Sequence, residues 1–300
     1  MQQILSIQQI SKSYGPVQAL KSISFSVPEG SVFGILGPNG SGKTTLLATI
    51  LDVLLADSGS YSWFGGEQPD KARRQIGSLL ETPNFYHYLS AVDNLEIAAA
   101  IKQKPKADKL AVLKTVGLLE RKDSKFQTYS LGMKQRLAIG AALLGNPKVL
   151  VLDEPTNGLD PSGIAEIREL IRDLSRQGIT IIIASHLLDE IEKVCTHVAI
   201  LKRGTLLLNG PVNEVLVNED QVEVVARDLN ALKAALQALP GIKKIATGDR
   251  NLLLTCAPDT DTYSINEYCI SKGIVLTHLQ LRKKSLESKF MELTNDKIAV

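Results

Sequence analysis

Apolar positions in the first thirty residues come in short alternating runs, ILSIQQI and then VQALKSISFSV. A period of two predicts strands, with Gly15-Pro16 and Pro28-Glu29-Gly30 as the turns between them. The next run, SVFGILG, is apolar almost throughout and predicts a short strand ending in a glycine-rich loop. From Lys43 the period changes, and Leu46, Leu47, Ile50 and Leu54 recur at helical spacing. Another strand is expected over SGSYSWFGG, Ser58 to Gly66.

From about Ser90 to Leu144 the pattern is mostly helical. Ser90 and Asp93 form a capping box ahead of Leu95, Ala98 and Ala99. Leu110, Leu113 and Leu119 mark a second helix, and Met133, Leu137 and Ala141 lie on one face of a third. VLVLDEP then reads as an apolar strand ending on two acids. Ile164, Ile167, Leu170, Ile171 and Leu174 give a helix, GITIIIAS a buried strand, and Leu187, Leu188, Ile191 and Val194 the helix after it. Such alternation with continuous apolar strands predicts a mainly parallel sheet covered on both faces.

After about Asn218 the pattern changes. QVEVVA, LNALKAALQAL, KKIAT, NLLLTC, TYSINEYCIS and VLTHLQL follow in the order β-α-β-β-α-β of a ferredoxin-like unit. A last helix is expected over SLESKFMEL. The expected division is therefore residues 1–218, with a helical subdomain at about 82–145, and a small α+β unit over 219–300.

Composition narrows the function. The 300 residues are 44% hydrophobic and 22% charged, with a net charge of +2. Near-neutrality gives no support to a nucleic-acid role resting on bulk charge. No run approaches the roughly 18 apolar residues of a spanning helix, and the N-terminus lacks the layout of a signal peptide. Cys195, Cys256 and Cys269 are scattered and odd in number, which points to reduced thiols in a cytoplasmic setting.

Two stretches carry chemistry. GPNGSGKT, Gly37 to Thr44, fits G-x-x-x-x-G-K-[ST] between a predicted strand and helix. Its backbone N–H groups would surround phosphate oxygens at a helix N-terminus. Lys43 would reach the β and γ phosphates and Thr44 would offer its hydroxyl to Mg²⁺. The candidate contacts are Gly37, Pro38, Asn39, Gly40, Ser41, Gly42, Lys43, Thr44 and Thr45. The bland alternative is a glycine-rich linker. In VLVLDEP, Asp153 and Glu154 stand at the C-terminal edge of a buried strand, where ligands bind in open α/β sheets. Two such acids are costly without a cation. Asp153 is the candidate metal partner and Glu154 the candidate general base for an attacking water.

These residues resemble the ATP-binding cassette (ABC) ATPases over about Ile4 to Leu216. The resemblance implies a P-loop cassette with a mainly parallel core, an antiparallel β subdomain and a helical subdomain. It places Tyr14 on adenine, Gly37–Thr44 as the Walker A loop and Val149–Glu154 as the Walker B strand. Asn157 to Asp160 resembles the D-loop, and His186 stands where the family senses the γ-phosphate. Taken singly, Tyr14 is more often an ordinary packed aromatic and His186 a satisfied strand-end histidine, and Asp160 next to Pro161 could simply start the helix at Ile164. Ser130 to Met133 stands where the family has its signature, and it reads Ser-Leu-Gly-Met rather than Ser-Gly-Gly-Gln. The serine and Gly132 remain to meet a phosphate. At LLETPNF the family's glutamine, a contact of Mg²⁺ and water, is Glu81. Both departures, and the tail SLESKFMELT, are similar to the antibiotic-resistance and bacitracin-type exporter branch.

What the resemblance implies is an ATPase using ATP and Mg²⁺, paired head to tail with a second ATP-binding subunit that is expected to be another copy of this chain. Ser130 and Gly132 of one subunit would close over the nucleotide of the other. A separate transmembrane permease subunit is the expected partner, with no nucleic acid, and the chain would sit on the cytoplasmic face of the membrane. Phe85, Tyr86 and Tyr88 cluster just after Glu81 and suit either a partner surface or local packing. The C-terminal unit carries no chemistry and is either regulatory, dimer-stabilising or a packed appendage. Two rival readings are a soluble ABC-type ATPase acting on ribosomes or DNA, and a nucleotide-binding regulator without turnover. The single unsplit cassette argues against the first, and Glu154 with His186 against the second.

Overall fold

The computed structural model describes residues 2–80, 84–104, 108–216, 221–257, 260–282 and 290. Strands β1 (Gln3–Tyr14) and β2 (Val17–Pro28) form a hairpin on the expected turn at Gly15-Pro16. β3 (Val32–Leu36) leads through the glycine-rich loop into α1 (Lys43–Ile50). This helix is a turn shorter than the spacing of Leu54 suggests, because Leu51 closes it and Asp52 turns to φ +61°. β4 (Ser58–Trp63) pairs antiparallel with β1, giving a three-stranded sheet β2-β1-β4.

After α2 (Pro69–Arg73) and β5 (Ile76–Leu79) come three helices, α3 (Ala91–Ile101), α4 (Lys109–Thr115) and α5 (Leu131–Leu143). The Ser90–Asp93 capping box forms as its sequence requires. In α5 the stripe of Met133, Leu137 and Ala141 understates the burial. Only Leu137 of the three is fully buried, while Gln135, Ala138, Ile139, Gly140 and Ala142 are buried as well. Gly140 lets α4 come close, since a Cβ there would lie 3.1 Å from Val112.

The chain then alternates through β6 (Val149–Asp153), α6 (Pro161–Arg176), β7 (Thr180–Ser185), α7 (Leu188–Glu192), β8 (His197–Lys202) and β9 (Thr205–Pro211). These strands build a six-stranded sheet in the order β5-β6-β7-β3-β8-β9, parallel except for β9. Every residue of β3, β6 and β7 is buried, as apolar strands covered on both faces must be. On α6 the stripe Ile167, Leu170, Ile171 and Leu174 is buried and the opposite face is charged.

The chain splits into units Met1–Val212 and Asn213–Val300, a little before the expected residue 218 and within the short helix α8 (Val212–Leu216). The second unit contains β10 (Gln221–Ala226), α9 (Leu229–Gln237), β11 (Ile242–Thr247), β12 (Leu252–Cys256), α10 (Thr262–Ser271) and β13 (Leu276–Arg282). Its four strands are antiparallel in the order β11-β12-β10-β13, the ferredoxin-like arrangement. Val222, Val224, Leu232, Leu236, Leu252, Leu254, Ile265 and Cys269 form its core. The helix expected over SLESKFMEL lies outside the described residues except for Phe290. All three cysteines are free thiols, and burial pushes Cys195 well above the ordinary thiol range, which leaves it unreactive.

Candidate functional site

Parallel register explains why residues far apart in sequence meet. Leu36 pairs with Ser185, and Asp153 with Ala184. The residues that follow these strand ends are therefore neighbours. They are Gly37 after β3, Glu154 after β6 and His186 after β7, all at the carboxyl edge where open α/β sheets bind ligands.

The loop after β3 depends on glycine most clearly at Gly42, the N-cap of α1. Its φ is +104°, and a Cβ would stand 2.5 Å from the carbonyl oxygen of Ala19. Gly42→Val therefore carries strain of about 1–3 kcal/mol and must shift the head of α1. Nucleotide affinity is expected to fall about ten- to hundredfold, read by titration with a fluorescent ATP analogue. Unchanged affinity would mean that the loop does not hold phosphate.

Lys43 is only 6% exposed. Its Nζ donates to the carbonyl of Gly37 at 2.7 Å and lies 3.4 Å from Oε1 of Glu154. A buried ammonium needs such partners. The Ser41 hydroxyl is buried with no hydrogen-bond partner, a polar group in the loop still able to serve a ligand oxygen. Pro38, Asn39 and Gly40 form the exposed rim of the loop, and Thr45 lies half-buried in the first turn of α1.

The Thr44 hydroxyl donates to Oδ2 of Asp153 at 2.7 Å, and Asp153 is buried. A hydroxyl and a carboxylate side by side suit a hard cation such as Mg²⁺. Among the described residues no group of three or more His, Cys, Asp or Glu could hold a metal alone. A cation here would complete its shell with phosphate oxygens and water, as Mg²⁺ does in phosphoryl-transfer sites.

Glu154 adopts φ +47°, a conformation that side chains other than glycine rarely take. Its N–H donates to the Ala184 carbonyl at 2.9 Å. The turn aims its carboxylate between Lys43 and His186. Oε2 lies 2.8 Å from Nδ1 of His186 and also accepts from that residue's backbone N–H at 3.4 Å. A carboxylate only accepts, so Nδ1 carries the proton in this pair. The Ser185 hydroxyl accepts from the Leu187 N–H at 3.0 Å and fixes the turn. Only the pairing register of β7 reveals that role for Ser185.

The other candidates lie elsewhere. Tyr14 ends β1 with its ring about half exposed, open to a planar group. Ser130 is the N-cap of α5, and its hydroxyl accepts from the Met133 N–H at 3.3 Å. The nearest neighbours of a Cβ on Gly132 would be Gly163 at 3.9 Å and Leu159 at 4.0 Å. A Cβ on Gly158 would lie 3.3 Å from Leu131. The head of α5 thus adjoins the loop that leads into α6. Asp160 caps α6 by accepting from the Gly163 N–H at 3.1 Å, with Pro161 beginning the helix. Glu81 lies outside the described residues.

The aromatic cluster divides. Phe85 packs edge-on against Phe126 with ring centroids 5.2 Å apart. Tyr86 and Tyr88 are 51% and 66% exposed and stack edge to face. Buried Asn94 holds this loop, accepting from the Tyr86 N–H at 2.8 Å and donating to the Tyr86 and Ser90 carbonyls.

Residues 20–157 match the family described as ABC transporter. The chain is 35% identical over 297 residues to an uncharacterized ABC transporter ATP-binding protein, YdbJ, of Bacillus subtilis (strain 168), covering 97% of this chain and 95% of that protein. It is 34% identical over 299 residues to the bacitracin transport ATP-binding protein BcrA of Bacillus licheniformis, covering 98% of each. The lantibiotic transport ATP-binding protein SrtF of Streptococcus pyogenes is 39% identical over 205 residues, covering 68% of this chain and 90% of that protein. Among solved structures, cbiO1 of the cbiONQ ABC transporter complex from Clostridium perfringens superposes with a TM-score of 0.65 at 30% identity, covering 80% of this chain and 97% of that one. A dimeric ATP-binding cassette in a post-hydrolysis state, bound to ADP and Pi, superposes with a TM-score of 0.61 at 26% identity, covering 69% and 98%.

Proposed function

The chain belongs to the ABC transporter family as an ATP-hydrolysing, ATP-binding subunit, and from that premise we propose that it energises an exporter and completes its site with a second ATP-binding subunit. The observation that carries the reading is the carboxylate of Glu154 held between Lys43 and His186 at the end of the parallel sheet.

Each residue has a task in this reading. The loop from Gly37 to Thr45 binds the phosphates, with Lys43 on the β and γ groups and Tyr14 against the adenine. Thr44 and Asp153 would hold Mg²⁺, which would neutralise phosphate charge, and Glu81 is proposed as a further contact of the metal and the attacking water. Glu154 takes the proton of the attacking water, and His186 orients Glu154 and meets the γ-phosphate. Ser130 and Gly132, with Asp160, approach from the second subunit. The neighbours of a Cβ on Gly132 among the described residues are Gly163 and Leu159, and none belongs to the Gly37–Thr45 loop of the same subunit, which supports this.

The names of the bacitracin and lantibiotic transport relatives support a transport role, and the direction follows the resemblance to the exporter branch. No helix among the described residues is long and apolar enough to cross a membrane. We therefore place the transport path in a separate permease and this chain on the cytoplasmic membrane face. A ribosome- or DNA-acting role has no such support from these relatives.

Tyr86 and Tyr88 are proposed to dock the permease. Tyr86→Ser/Tyr88→Ser should reduce co-purification of a multi-spanning protein from detergent-solubilised membranes about tenfold, the scale of one lost interface anchor. ATP hydrolysis by the isolated chain should persist. Recovery of ribosomes or DNA by the wild-type chain, with no multi-spanning protein, would overturn the transporter reading.

A further inference from the structure

Helix α7 begins two residues after His186 and has five residues. So short a helix does not hold itself in water. Tertiary ties hold it instead. Ile191 is buried and packs so closely that a Cβ on Gly34 would come within 2.6 Å of it. Glu190 meets two cations. One is Lys193 on the same segment, with Nζ 3.0 Å from Oε1. The other is Arg168 of α6, with Nη1 2.8 Å from Oε2. Arg172, one turn on, donates to the Lys193 carbonyl at 2.8 Å.

The Arg168–Glu190 pair is partly buried, at 25% and 21% exposure, whereas the Arg176–Asp173 pair of the same helix is at 70% and 58%. Shielding of this kind keeps an ion pair effective. Its place matters more. A small cavity behind the site is walled by Arg168 and Glu190 together with Pro155 and Thr156, directly after Glu154, and Ser185, directly before His186. The pair therefore backs both chain segments that carry the central carboxylate and its imidazole.

We propose that Arg168 is a positioning residue for hydrolysis, clamping α7 onto α6 so that His186 stays against Glu154. Removing Arg168 leaves Glu190 paired with Lys193 and leaves the Arg172 contact to the Lys193 carbonyl, so one of the two ties between this segment and α6 is lost. The His186–Glu154 contact of 2.8 Å then depends on a helix with one anchor fewer. A hydrogen bond of that length does not survive a shift of about 1 Å, and a displacement of that size costs on the order of a hundredfold in rate when complete. Because α6 starts at the Asp160 cap, the same arginine links the loop facing the second subunit to the histidine. The inference rests on the reading that Glu154 and His186 carry hydrolysis.

The test compares steady-state ATP hydrolysis, ATP affinity and melting temperature for the full chain and for Arg168→Met, Arg168→Lys, Glu190→Gln and the double variant Arg168→Met/Glu190→Gln. Methionine keeps an apolar stem of similar length while removing the guanidinium. Arg168→Met should lower kcat about tenfold, a partial form of that misplacement, with KM and ATP affinity within about twofold. Lysine should restore part of the loss. The double variant should be no slower than Arg168→Met alone, since both changes cut one tie. Wild-type kcat in Arg168→Met, equal losses in affinity and turnover, or multiplied losses in the double variant would overturn the proposal. A lowered melting temperature with unchanged kcat would do the same, by showing a structural tie only. Glu154→Gln run alongside separates the two readings. If it keeps wild-type turnover, the assignment of the site fails. If it collapses while Arg168→Met does not, only the clamp fails.

Discussion

Glu154→Gln is expected to bind ATP at least as tightly as the wild-type chain and to hydrolyse it about a hundredfold or more slowly, the usual scale for a lost general base. The amide cannot take a proton from water, which accounts for the rate. The affinity follows from charge. Lys43 donates to the Gly37 carbonyl and faces the Glu154 carboxylate at 3.4 Å. A phosphate must compete with that carboxylate for the ammonium and also meets its negative charge. Glutamine removes both penalties while keeping an oxygen that can accept from His186. With hydrolysis blocked, ATP should hold two subunits together, and size-exclusion chromatography should show an ATP-dependent dimer. Undiminished turnover would remove Glu154 as the base.

The second large effect is expected at Gly132. Gly132→Trp should abolish ATP-driven dimerisation and hydrolysis while leaving ATP binding by the monomer nearly unchanged. Within one subunit the position has room for a Cβ, whose nearest neighbours beyond its own turn of helix would be Gly163 at 3.9 Å and Leu159 at 4.0 Å. Replacing a helical glycine also removes a conformational cost of up to about 1 kcal/mol, so the fold should not weaken. What the tryptophan blocks is the approach of a second subunit to the head of α5. If monomer binding fell as far as dimerisation, the helix head would be serving its own subunit.

The phosphate loop and the paired acids were readable because their chemistry restricts the residues. A nest of inward N–H groups needs glycine, and a buried strand ending on two acids needs a cation. The β-α-β-β-α-β order of the C-terminal unit was readable from its alternating apolar periods. Other features depend on tertiary pairing. β5 has four residues, and β9 is an antiparallel edge strand without a fully buried position, so neither stands out as an apolar run. β8 is a buried run just past the helix expected over Leu187 to Val194, and that helix, α7, ends at Glu192 rather than continuing to Val194. The division between Phe85, which packs inward, and the two outward tyrosines is set by Phe126 and Asn94. The positive φ of Glu154 and the Arg168–Glu190 tie become visible only once β6 and β7 are in register.

The central claim is that each nucleotide site is shared between two copies of the chain. Mixing Lys43→Ala with the small-residue variant Ser130→Ala/Gly132→Ala tests it most directly, since each protein alone should be inactive and neither carries a bulky group that would block pairing. In a mixed dimer one site combines the intact Lys43 of one copy with the intact Ser130 and Gly132 of the other. Hydrolysis should then return to about a quarter of the wild-type rate at equal amounts, because half the dimers of a two-fold assembly are mixed and each holds one sound site. A mixture as inactive as its components would contradict the account, because every site would then have needed all three residues from a single chain.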